Sequence, residues 1–313
     1  MHESQAVTFR NRSGCVLFGI MHLPEQTSRK NTAIVLLSPG VKNRIAPHRL
    51  YVKLTEFLIS LGYPVFRFDF YGLGDSEGVI SERLLPNIYT SIQQGLYIND
   101  TIDSMDWLQD RHGIKNFIVG GLCGGAITGL LAAQSDERVT ALLAIGIPVI
   151  LDNAGEKKTQ TLTSSELDHY RGKYFLKLTD VNSLIRLLTL KSDFRAIFKA
   201  LINPLKMRLR KITSVTQGAM ENDPVMINFN YMFPDAFETM LRNGQDIGLF
   251  FGENDRLYWE FKEKYCTYFQ SILDKYSAMY SLYLTPGARH IFEQKEQQVD
   301  LFRNIEKWLS RLA

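Results

Sequence analysis

The chain has 313 residues, 45% hydrophobic and 22% charged, which suits one large α/β domain or a domain with an insertion, and allows a sizeable core. A net charge of +3 is too small to imply a nucleic-acid partner. Three cysteines, Cys15, Cys123 and Cys266, are too few and too scattered for a disulfide framework. No C-x-x-C or His/Cys cluster has metal-ligand spacing, so neither a metal nor a cofactor is expected.

The N-terminus, Met1-His2-Glu3-Ser4-Gln5, is polar, without the apolar core of a signal peptide. No run approaches roughly 18 apolar residues, so the expectation is a cytoplasmic protein that is not integral to a membrane. Residues 6–12 and 15–23 alternate around Ser13-Gly14 and read as an antiparallel edge hairpin. A buried-strand run, Ala33 to Leu37, ends at Ser38-Pro39-Gly40. A helical pattern from Pro47 to Leu61 follows, with Leu50, Leu54, Phe57, Leu58 and Leu61 on one face. Next come a strand at Tyr63–Phe68, a helix near 92–111, a strand at 115–120, a helix at 124–134 and a strand at Val139–Ile145. This βαβ alternation predicts a parallel sheet with helices on both faces. It resumes later with a strand at Ile247–Phe251, a helix through 257–275, a strand at Met279–Leu284 and a terminal helix from about Ile291 to Leu312.

Between the two series, residues 151–243 are helix-like or irregular. They read as a helical lid inserted into a core of 1–150 and 244–313. Residues 151–211 hold 13 Lys/Arg against 6 Asp/Glu. Phe198 to Lys211 is basic and amphipathic, with Lys199, Lys206, Arg208, Arg210 and Lys211. It reads as a solvated helix face, or as a dock for an acidic carrier protein, an acyl-thioester or a membrane surface.

Gly121-Leu122-Cys123-Gly124-Gly125 lies between a strand and a helix. The G-x-[nucleophile]-x-G spacing suits a sharp turn whose apex side chain stands clear of the sheet, because the residues two before and two after come too close for larger side chains. Here cysteine stands where serine is usual; a buried cysteine acting as a small hydrophobe is the plainer alternative. A thiol nucleophile needs a base, and the base needs a carboxylate to fix its tautomer. Gly252-Glu253-Asn254-Asp255-Arg256 directly follows one late strand, and Thr285-Pro286-Gly287-Ala288-Arg289-His290 the next. Cys123, Asp255 and His290 are therefore nucleophile, acid and base in chain order, with Glu253 as fallback acid and helix N-capping as the other reading of Asp255. The N–H groups of Val41 and Gly124 are the expected oxyanion donors.

Gly72-Leu73-Gly74-Asp75-Ser76-Glu77-Gly78 follows a strand, but its spacing is one residue longer than a dinucleotide fingerprint, and Glu82-Arg83-Leu84-Leu85-Pro86 opens no clean helix. The same stretch, Phe68-Asp69-Phe70-Tyr71-Gly72-Leu73-Gly74-Asp75-Ser76, resembles the D-x-R-G-x-G-x-S loop of the α/β-hydrolase fold superfamily, with Tyr71 in place of arginine. The Cys123 turn resembles the elbow of that superfamily's cysteine-using branch, such as dienelactone hydrolases. Pro47-His48-Arg49-Leu50-Tyr51-Val52 and Lys191-Ser192-Asp193-Phe194-Arg195 resemble bacterial hydrolases related to the serine-aminopeptidase-like group. The resemblance implies a mostly parallel eight-stranded sheet and a hydrolase acting on an ester or thioester through an acyl-cysteine intermediate. An acyltransferase using an alcohol or amine acceptor is the alternative, and a non-catalytic binding protein of this fold a third.

Overall fold

A computed structural model describes residues 3–82, 84–152 and 223–312. Strands β1 (Glu3–Arg10), β2 (Val16–Leu23), β3 (Thr32–Leu37), β4 (Val65–Phe68), β5 (Asn116–Leu122), β6 (Val139–Ile145), β7 (Asp246–Gly252) and β8 (Tyr280–Thr285) form one sheet in the order β1-β2-β4-β3-β5-β6-β7-β8. The β1–β2 hairpin is antiparallel, as is its junction with β4, and all pairs from β4 through β8 are parallel. Strands β3, β5 and β6 are buried almost throughout, which is why their sequences read as continuous apolar runs rather than alternations.

Helices α1 (Leu50–Ser60) and α8 (Lys295–Leu309) share one core with the sheet, where Leu54, Leu301, Ile305 and Trp308 meet Ile34, Leu36, Ile118 and Phe250. Helices α2 (Leu85–Gln93), α3 (Ile98–His112), α4 (Gly124–Ala133) and α5 (Met232–Arg242) assemble around α4, which packs on β5 and β6. Two short helices, α6 (Arg256–Glu260) and α7 (Thr267–Lys275), flank a π-helical turn between β7 and β8. No helix among the described residues is long and apolar enough to cross a membrane.

Three local readings need correction. The helix expected from Pro47 starts at Leu50, because His48 (φ 54°) and Arg49 (φ 56°) are left-handed. The single helix expected near 92–111 is two, α2 and α3, broken at Gly95 (φ 101°). Leu85 and Pro86 do open a helix, with Pro86 in the first turn of α2, where its missing N–H costs nothing.

Residues 1–156 with 228–313 form one compact unit and 157–227 another. Most of the expected lid, including the whole basic stretch 198–211 and the docking face expected on it, lies outside the described residues. Helix α5 belongs to the first unit, against α4. Where the chain departs and returns, Ile150 and Phe229 form an antiparallel bridge. Leu151 N–H donates to Asn228 C=O at 2.7 Å, and Asn230 N–H to Val149 C=O at 2.9 Å.

Candidate active site

Cys123 sits between β5 and α4 with φ 56° and ψ −113°, a strained conformation for a residue bearing a Cβ. The turn is possible because its neighbours have no side chains. A Cβ on Gly121 would strike the Tyr51 hydroxyl and Leu37 C=O, and one on Gly125 would strike Leu37 C=O. Cys123 is partly exposed.

Two features support the turn from below. Cys123 N–H donates to Ile145 C=O at 2.8 Å. The fully buried Tyr51 hydroxyl accepts Leu122 N–H at 2.6 Å and donates to Leu37 C=O at 2.8 Å, tying β5 to β3 beneath the elbow. Burial, opposed by the Leu122 bond and aided by Cys123, pushes the Tyr51 pKa upward, so its proton stays available for that donation.

Asp255 and His290 stand on the loops that follow β7 and β8. His290 Nδ1 lies 2.9 Å from Asp255 Oδ2, and Asp255 is 2% exposed. Asp255 Oδ1 accepts Leu257 N–H at 3.0 Å, so this carboxylate both caps α6 and holds the imidazole. Glu253 does something else: its Oε2 accepts Gly287 N–H at 2.9 Å and fastens the β7 loop to the β8 loop. Burial opposes charge on His290, but the hydrogen bond to Asp255, with the charges of Cys123 and Asp255, outweighs it. The imidazole pKa is pushed up to about 10.

Val41 follows Gly40 in the loop after β3, and Gly124 opens α4. Their backbones meet through Gly40, whose N and Cα would lie 2.6 Å from a Cβ on Gly124. Neither the Val41 nor the Gly124 N–H has a hydrogen-bond partner among the described residues.

Three further residues escaped the sequence reading. Gly146 follows β6, and a Cβ there would lie 2.9 Å from His290 Nδ1 and 3.1 Å from Asp255 Oδ2, so only glycine leaves room for the pair. Tyr51 lies within the Pro47–Val52 stretch that carried part of the family resemblance, yet nothing in that stretch announced its role. Tyr89, on α2, lays its ring edge 2.6 Å from where a Gly40 Cβ would stand; burial, then the charges of Cys123 and Asp152, raise its pKa.

The loop 69–78, weighed against a dinucleotide fingerprint, is an internal clasp. Asp69 is fully buried and accepts Arg44 N–H at 2.6 Å and Asp75 N–H at 3.1 Å, and it pairs with the Arg44 guanidinium. Ser76 Oγ donates to Asp69 C=O at 2.6 Å and accepts Phe18 N–H at 2.9 Å.

An open twisted sheet with an elbow after β5, an acid after β7 and a histidine after β8 defines one class, and the sequence comparison agrees. The model of the α/β hydrolase fold family matches residues 41–264, and the chain belongs to that family. Bacillus subtilis YtaP, named as a candidate hydrolase, is 26% identical over 145 residues, 43% of this chain and 48% of YtaP. The match thus spans about half the length of that curated relative. Among solved structures, the Pyrococcus furiosus esterase Pf2001 superposes with a TM-score of 0.57 at 17% identity, covering 99% of this chain and 91% of the esterase. An alpha-beta serine hydrolase homologue from Coxiella burnetii gives 0.55 at 13% identity, covering 99% and 97%. Xanthomonas campestris XC6422, described as a serine hydrolase without lid, gives 0.51 at 15%, covering 98% and 95%. These likenesses establish the fold alone.

Proposed function

We propose that the protein is a hydrolase of esters or thioesters that works through an acyl-cysteine intermediate, with Cys123 as nucleophile, His290 as base and Asp255 as acid. The observation that carries this reading is the His290 imidazole, held 2.9 Å from Asp255, with the charge of Cys123 among the causes that raise its pKa. In the proposed reaction His290 takes the Cys123 proton and the thiolate attacks the acyl carbonyl. The tetrahedral oxyanion lies against Val41 N–H and Gly124 N–H. His290 then protonates the leaving alcohol or thiol and afterwards activates the water that attacks the acyl-cysteine. Asp255 keeps the imidazole in the tautomer both half-reactions need.

The solved relatives named as serine hydrolases carry a different nucleophile in their name, and cysteine changes the chemistry. The acyl-enzyme is itself a thioester, with a good leaving group, so it remains activated toward acceptors other than water. Acyl transfer is therefore the second reading, and the basic stretch 198–211 is the segment proposed to recognise an acidic acyl donor. Brief exposure to an activated aryl ester, followed by mass spectrometry, should show one acyl adduct, on Cys123. Cys123→Ala should fold normally, form no adduct and lose turnover. Labelling on Cys15 or Cys266 in its place refutes the assignment; burial pushes the Cys266 thiol up to about 11, which makes it a poor competitor near neutrality. Added alcohol or amine acceptors separate the two readings, because only a transferase diverts the adduct to acylated acceptor.

A further inference from the structure

His290 is the second residue of a tight turn, Arg289-His290-Ile291-Phe292, which Phe292 N–H closes by donating to Arg289 C=O at 3.3 Å. On its N-terminal side the turn is tied to the Asp255 loop, where Asn254 N–H donates to Ala288 C=O at 2.8 Å. On its C-terminal side the side chain of Gln298, in the first turn of α8, donates from Nε2 to Phe292 C=O at 2.9 Å. From this arrangement we infer that Gln298 is a positioning residue for His290, holding the turn so that the imidazole stays on Asp255. The consequence for turnover rests on the proposed reading of His290 as base.

The Gln298 amide has one orientation open to it. Its Oε1 accepts Lys53 Nζ at 2.7 Å, and an ammonium group can only donate. Phe292 C=O can only accept, so the amide nitrogen must face it. A bridge therefore runs from α1 through Gln298 to the residue two places after His290, and each end fixes the other. Gln298 is 2% exposed, whereas Lys53 stands at the surface. Glutamine is seldom buried, and here the burial leaves both ends of the amide satisfied.

Phe292 is the reason the turn needs such a hold. It is left-handed, with φ 48°, and fully buried, in the core shared with Ala288 and Leu301. A residue bearing a Cβ keeps that conformation only where its surroundings over-determine it. The core restrains the ring, and Gln298 restrains the main chain. Without the Gln298 bond the Phe292 backbone can relax, and a rotation two residues from His290 re-aims the imidazole. Such a change is readable. Burial by itself lowers the His290 pKa, and the bond to Asp255, with the charges of Cys123 and Asp255, lifts it to about 10. An imidazole that lets go of Asp255 therefore titrates lower.

The test is an NMR titration of the His290 ring protons in the full chain, assigned with His290→Gln, beside kcat and KM on an activated aryl ester. Gln298→Met keeps the length of the side chain but donates nothing to Phe292. The His290 pKa should fall by at least about one pH unit. For the ester, kcat should fall on the order of 10²-fold with KM little changed. Lys53→Met, at an exposed position where folding is not at risk, frees the amide to rotate and should lower the His290 pKa by a smaller amount. Loss of the Lys53 charge alone would push that pKa the other way, so the sign separates the bridge from simple electrostatics. An unchanged His290 pKa in Gln298→Met, with only a lower melting temperature, overturns the proposal and makes Gln298 an ordinary buried glutamine. If Gln298→Met does not fold, Lys53→Met decides, and an unchanged or raised pKa overturns the proposal. A lowered pKa with kcat unchanged keeps the positioning role and removes His290 as base, so the two readings fail separately.

Discussion

At Cys123 the backbone is placed by the absence of side chains, whereas at Asp255 and His290 it is placed by hydrogen bonds between two loops. On the nucleophile side, Gly121, Gly124 and Gly125 bring β5 and the start of α4 against Leu37 and Gly40, at separations that leave no room for a methyl group. On the acid–base side, Glu253 N–H donates to Thr285 C=O at 3.0 Å and Asn254 N–H to Ala288 C=O at 2.8 Å, and the Glu253 carboxylate holds Gly287 N–H. The first region should therefore be intolerant of added atoms, and the second of lost partners. Packing of this density cannot yield gradually, while a hydrogen-bonded pair of loops answers to charge and pH.

The acid–base side offers the largest test. Asp255→Asn keeps an oxygen to cap α6 but loses control of the imidazole tautomer, so turnover should fall on the order of 10³–10⁴-fold with little change in folding. Glu253→Gln still presents an oxygen to Gly287 N–H and should cost no more than a few-fold. The reverse ranking would mean that the acid is misassigned. The pair should also leave a signature in stability against pH. His290 titrates near pH 10 when folded and near its ordinary value of about 6.5 when unfolded. Its contribution is complete below the lower value and is lost as pH rises through the upper one. Chemical denaturation between these values should show stability declining with pH in the wild type, and a flatter profile in Asp255→Asn.

The nucleophile side comes next. In Gly125→Ala the new methyl would meet Leu37 C=O and, at 3.3 Å, Ser38 C=O, both backbone atoms that cannot swing aside. Relief requires moving the elbow, and a displacement near ~1 Å at a reacting group costs on the order of 10² in rate. Overpacking should also cost about 1–3 kcal/mol in stability, read as a lower denaturant midpoint. Wild-type turnover in this variant would break the comparison, because the elbow would then be adaptable.

The turn at Cys123 and the placing of Asp255 and His290 in neighbouring strand-end loops were legible because each position is set by local sequence: a small-residue turn in one case, the residues just past a buried apolar run in the others. Strand runs were legible for the same reason, since β3, β5 and β6 are buried on both faces. Helix α2 was not, because Leu84 and Leu85, at 57% and 53% exposed, break the apolar stripe that marks a helix packed on a core. Gly146 could not be singled out, because its need for a bare Cα arises only when residues 255 and 290 arrive beside it. The Arg44–Asp69 clasp likewise pairs residues on separate strand-end loops, and the glycines near it carried a nucleotide-like pattern that the fold uses for a turn.

Tyr51 sharpens the comparison, because there the Cys123 side also relies on a hydrogen bond from a side chain. Its hydroxyl sits where a Gly121 Cβ would have to go, accepting from Leu122 and donating to Leu37. Tyr51→Phe preserves the ring and opens almost no cavity, but it leaves a buried N–H and a buried C=O unpaired. That should cost about 1–3 kcal/mol, visible as a lower melting temperature. If the hydroxyl also fixes the peptide ahead of Cys123, kcat for an activated ester should fall roughly tenfold with KM little changed, since ground-state contacts with substrate are untouched. A stability loss with kcat unchanged would make Tyr51 an ordinary core tyrosine and leave close packing of glycines as the whole account of the elbow. A loss of kcat larger than that of Gly125→Ala would invert the comparison, with the hydrogen bond and not the packing as the chief restraint on the nucleophile.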